Sequence, residues 1–136
     1  MATAIVEYSG NLRTHSTHVK SGVNIITDAP TDNHGKGEAF SPTDLLCSSL
    51  ASCMLTIMGI AANTHNIDIT NTQCSVEKIM ETAPRRIGKI NIEVHFPKNI
   101  VYSEKEKMIL EKAALTCPVM ESLHPDCIKN IQFLWP

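Results

Sequence analysis

Hydrophobic and polar positions change their period along this chain, and the changes mark out its elements. The clearest alternation runs from Ile87 to Phe96. Ile90, Ile92, Val94 and Phe96 fall on one side and Asn91, Glu93 and His95 on the other, as in a strand with one buried face. Pro97 ends it. A second pattern fills Leu45 to Ala62, 18 residues without a charge and with apolar side chains in every helical direction. A helix of that kind is buried, in a core or in a bilayer. Its start is written in Ser41-Pro42-Thr43-Asp44: Ser41 suits the N-cap, Pro42 the first helical position and Asp44 the capping acid.

The run is long enough for a membrane span, but Ser48, Ser49, Ser52, Thr56 and two cysteines dilute it, and no Lys or Arg flanks it closely. The expectation is the central helix of a soluble domain, with no membrane partner. Small residues (Ser48, Ser49, Ala51, Ser52, Gly59, Ala61, Ala62) would let another element, such as the same helix of a second subunit, approach closely.

The rest falls into place around that helix. Weak alternation predicts strands over Ala2–Tyr8, Leu12–Lys20 and Val23–Thr27, with turns at Ser9-Gly10-Asn11 and Ser21-Gly22. Asp28–Ala39 is turn-rich and polar, a loop leading into the helix. Ile67–Met80 pairs with Ile87–Phe96 as a hairpin around Ala83-Pro84-Arg85-Arg86. Ser103-Glu104-Lys105-Glu106 is a capping box, and the helix behind it is expected to bury Met108, Ile109, Ala113 and Leu115. It stops near Thr116-Cys117-Pro118. A short helical turn over Pro118–Leu123 and a strand over Ile128–Trp135 complete an α+β chain.

At 136 residues this reads as one domain spanning 1–136. A net charge of −2 and few aromatics give no hold on nucleic acid. Five cysteines, an odd number without tight spacing, do not form a secreted disulfide framework, and no secretory leader opens the chain. The expected compartment is cytoplasmic. His15 and His18 would face opposite sides of a strand, so no metal site is expected, and no organic cofactor either.

Cysteine is the residue type to weigh for chemistry. Cys117 precedes Pro118 at a helix start, where unpaired N–H groups favour a thiolate. Cys53 lies mid-helix and would be inert without a cation and an opening to solvent. Cys47, six residues from Cys53, points about 240° away around the helix and is a poor partner for it. Taken singly, each cysteine reads as a small buried hydrophobe.

Two segments together resemble the OsmC/Ohr family of thiol-dependent peroxidases. One is Phe40-Ser41-Pro42-Thr43-Asp44-Leu45-Leu46 with the helix running on to Ala51-Ser52-Cys53. The other is Thr116-Cys117-Pro118-Val119-Met120-Glu121-Ser122-Leu123. The order of elements fits from end to end. The resemblance implies antiparallel sheets wrapped around a long buried central helix in an intertwined homodimer. It implies a peroxidatic Cys53, a resolving Cys117, and Arg13 as the guanidinium beside the thiolate. Cys53 would attack a hydroperoxide, Cys117 would close a disulfide with the sulfenate, and a dithiol or thiol reductant would restore both. An apolar pocket would favour organic hydroperoxides over hydrogen peroxide. The Ohr-type glutamate after the helix-starting proline is replaced by Thr43, which leaves Asp44 and Glu38 as candidate carboxylates for Arg13. The alternative is a dimer that binds a small apolar ligand or senses redox state without significant turnover.

Overall fold

Three short strands open the chain as an antiparallel sheet: β1 (Ala4–Gly10), β2 (Arg13–His18) and β3 (Asn24–Asp28), in the order β1-β2-β3. The β1–β2 turn needs left-handed backbone at Asn11 and Leu12, with φ of 54° and 63°, after Gly10 at 87°. The computed structural model describes residues 1–136, which divide into two units, Met1–Leu46 and Cys47–Pro136.

Helix α1 (Pro42–Thr64) begins where the sequence predicts. Ser41 Oγ accepts the Asp44 N–H and Asp44 returns a carboxylate oxygen to the Ser41 N–H, both at 3.0 Å, so two N–H groups at the helix start are satisfied reciprocally. The helix is long and apolar enough to cross a membrane by length and composition. One side, Cys47, Leu50, Ala51, Met54, Met58 and Ala62, is buried. The other is open: Ile60 is 59% exposed, and Leu46 and Thr56 are exposed with it. The expectation of burial all round therefore fails for the single chain.

The second sheet contains β4 (Gln73–Glu81), β5 (Arg86–His95) and β6 (Ile128–Leu134) in that order. β4 and β5 form the predicted hairpin, with β4 starting later than Ile67. β6 pairs with β5 in parallel, so this sheet is mixed where antiparallel pairing was expected. The reason is the connection. Between β5 and β6 the chain makes α2 (Glu104–Ala114) and α3 (Pro118–Ser122), a crossover long enough to return it in the same direction. Ile90, Ile92 and Val94 of β5 share one core with the buried side of α1 and with Leu110 and Ala114 of α2. Phe96, Tyr102 and Trp135 close its end, Phe96 and Trp135 stacking with centroids 3.7 Å apart.

The buried stripe of α2 matches the expected one only in part: Ala113 packs on the core and Ile109 is half-buried. The capping box forms as expected, but Met108 is 70% exposed and Leu115 is exposed too. The inward row is Lys107, Leu110, Ala114 and Cys117, with the Lys107 ammonium over the Trp135 ring. A lysine stem can cover apolar surface while its head stays wet. Apolar identity alone therefore misplaced Met108 and Leu115 and missed Leu110 and Ala114.

Candidate active site

In the N-terminal unit the chemistry-bearing group is Arg13, the first residue of β2. Its partner across the β2–β3 ladder is Asp28, so the two side chains emerge side by side. Nε and Nη2 donate to the two carboxylate oxygens at 2.7 and 2.8 Å, a bidentate fork. The Asp28 side chain is only 4% exposed, whereas that of Arg13 is 38% exposed. The Arg13 hydrogen bonds hold the Asp28 carboxyl below its usual range, burial opposes them, and the Glu38 N–H adds a third donor. Arg13 in turn is raised, first by that hydrogen bond and Asp28's charge.

The carboxylate bound to Arg13 is therefore Asp28, at the end of β3, and not the expected Asp44 or Glu38. The register of a predicted strand pair could have found it, had the pairing been fixed. Glu38 acts on Arg13 through charge and on Asp28 through its backbone N–H. Asp44 is engaged in the helix cap. Around Asp28 the loop is tightly folded, and a side chain at Gly35 would meet the Ala29 carbonyl oxygen at 1.7 Å, so only glycine fits there.

Because Asp28 is depressed, its contribution to stability is complete above the unfolded value of about 3.9. It fades as pH falls from there through the lower folded value. Protection factors for amide exchange across β1–β3 (observed rates divided into the intrinsic rate at each pH) are expected to hold down to pH ~4 and to fall below it. Asp28→Asn should erase that acid step, and identical acid profiles for the two proteins would refute the assignment.

In the second unit the structure brings Cys53 and Cys117 together. Cys53 projects from the partly open side of α1, and Cys117 is fully buried at the N-cap of α3. The two thiols are within hydrogen-bonding reach of each other. The Cys117 sulfur also accepts the Met120 N–H at 3.4 Å. Burial pushes the Cys117 thiol up, and so do the hydrogen bond to Cys53 and the Cys53 charge, while the Met120 and Val119 N–H groups pull it down. Cys74, on β4, is pushed up to about 11 by burial and stays protonated at neutral pH. Cys47 is on the buried face of α1 with Leu50 and Met54, and Cys127 is buried after the turn that precedes β6. The described side chains hold no group of three or more His, Cys, Asp or Glu placed to bind a metal ion.

A search of curated proteins finds no match. Solved structures do match. One is a Psychrobacter arcticus 273-4 protein, provisionally named as an osmotic stress induced and detoxification response protein. It is 50% identical with a TM-score of 0.94, over 98% of this chain and 96% of that one. A Legionella pneumophila organic hydroperoxide resistance protein OsmC shares the fold at 17% identity and a TM-score of 0.72, over 99% and 98% of the two chains. The organic hydroperoxide resistance protein OhrB of Bacillus subtilis does so at 19% and 0.65, over 98% of each. The family model for OsmC-like protein matches residues 35–129, which contain both facing cysteines. By that match, and by the end-to-end likeness of the fold, the chain belongs to the OsmC-like protein family.

Proposed function

We propose that this protein is a thiol-dependent peroxidase that reduces organic hydroperoxides through Cys53 and Cys117 in oxidative-stress defence. Family membership and the hydroperoxide-resistance structures support a redox or peroxide-related role. The single observation that carries the finer reading is the contact between two thiols 64 residues apart, one on the open side of a helix and one buried. Cys53 as thiolate attacks the terminal oxygen of the hydroperoxide and becomes a sulfenic acid, releasing an alcohol. Cys117 displaces the sulfenic oxygen and closes the disulfide. A dithiol reductant then restores both thiols by exchange.

A thiolate in apolar surroundings needs a cation, and the proposal gives that role to Arg13, with Asp28 fixing its fork. Partly buried Ile57, Val119 and Met120 pack on the same core as Cys53, and apolar surface of this kind favours an alkyl peroxide over hydrogen peroxide. One equivalent of cumene hydroperoxide is expected to remove two hydrogens from the reduced protein, with peptide mapping joining residues 53 and 117. A bridge elsewhere, or none, sinks the reading.

The proposal includes a homodimer. Both faces of the N-terminal sheet carry exposed apolar side chains, Ile5 and Ile26 on one and Val6, Tyr8 and Ile25 on the other. A sheet with two greasy faces calls for a cover. Beside α1 runs an open cleft of about 440 Å³ lined by Ser48, Ala51, Ser52, Leu55, Thr56, Cys74 and Val76. Sedimentation at twice the 15.0 kDa chain mass is the expected result, and a monomer at micromolar concentration contradicts it.

A further inference from the structure

Breaking a peroxide O–O bond leaves an alkoxide, a far stronger base than a thiolate, so the step is fast only if a proton is in place as the bond breaks. Cys117 is fully buried, which keeps bulk water from its sulfur. The ionisable side chain acting on it is Cys53, the attacking group itself. We propose that Cys117 is also the general acid of the first step: its S–H, in hydrogen-bond contact with the Cys53 sulfur, protonates the departing alkoxide and thereby becomes the thiolate that closes the disulfide. This rests on the peroxidase reading and adds to it a role for Cys117 before resolution.

The step balances. The Cys53 thiolate bonds to the terminal oxygen of the alkyl hydroperoxide. The O–O bond breaks, and its electron pair goes to the inner oxygen. That oxygen takes the Cys117 proton and leaves as the alcohol. Cys53 is now S–OH and Cys117 is S⁻. The new S–O bond turns about Cβ–Sγ to present its back face, and the Cys117 thiolate attacks the Cys53 sulfur. The S–S bond forms and hydroxide leaves, to be protonated by solvent. The hydroperoxide is the oxidant, and the dithiol of the exchange step is the reductant.

Two features of the site suit the double role. The Met120 N–H at 3.4 Å remains to stabilise the Cys117 anion once it is made. Burial is the main influence holding the proton on Cys117, and the smaller contribution of the Cys53 charge is lost when Cys53 becomes a neutral sulfenic acid.

The test is single-turnover oxidation of Cys53 in Cys117→Ala, trapped with dimedone and read by mass, using two oxidants. Cumene hydroperoxide releases an alkoxide. Peracetic acid releases acetate, a weak base that needs no proton. Oxidation by cumene hydroperoxide is expected to slow at least about 10²-fold more than oxidation by peracetic acid. The second rate also shows that the variant is folded with Cys53 reactive. Cys117→Ser, close in shape but a weaker acid, should show the same split. Wild-type rates with both oxidants, or equal slowing with both, would overturn the acid role and leave the peroxidase reading standing. A wild-type protein whose Cys53 reacts with neither oxidant would overturn both.

Discussion

Cys53→Ser is expected to drop hydroperoxide-dependent oxidation of a dithiol to the uncatalysed rate, a loss on the order of 10⁶-fold. A serine hydroxyl keeps its proton at neutral pH, has no base beside it in this apolar helix, and cannot pass through a sulfenic acid. The control is Cys74→Ser. Cys74 lies on β4 with its thiol pushed up to about 11, so it is not a nucleophile at pH 7, and its loss should leave turnover intact. Coupled consumption of dithiol measures both variants. Turnover that survives in Cys53→Ser, or disappears in Cys74→Ser, would mean the wrong sulfur has been assigned.

The second large effect concerns the wall behind the site. Leu110 on α2 is fully buried in the core that also holds Met54, Ile92 and Cys117. Leu110→Ala removes three carbons and leaves a cavity, a change that costs about 3 kcal/mol in comparable cores. Met108→Ala, two residues away on the exposed side, should change stability by no more than about 0.5 kcal/mol. Urea midpoints at equal m-value decide between the two faces. The reverse ranking would restore the stripe that apolar identity alone suggests.

Those two variants mark a boundary in what the residues themselves could say. The capping boxes at Ser41 and Ser103, the alternation of Ile90, Ile92 and Val94, and the breaks at Pro97 and Pro118 are local devices. Each acts within a few residues, so each was legible in the chain and each formed as read. The face of α2 was legible only in part. Lys107 covers the core with its stem and Met108 is left outside, a choice made by what surrounds the helix rather than by the helix. The same holds for the parallel pairing of β6, which depends on where a crossover delivers the strand.

For the site, the residues read singly offered only Cys117, at a helix start; Cys53 and Arg13 were named through the resemblance to the OsmC/Ohr family, which rests on a Pro-started helix, a Cys-Pro step and a turn followed by arginine. Neither singled out Asp28, whose tie to Arg13 exists only through the β2–β3 register. Nor could spacing show that two sulfurs 64 residues apart come into contact. Local sequence fixes dihedral angles, caps and breaks, because those energies are summed over neighbouring residues. Contacts between distant side chains are set by how whole elements pack, and that was decided only in three dimensions.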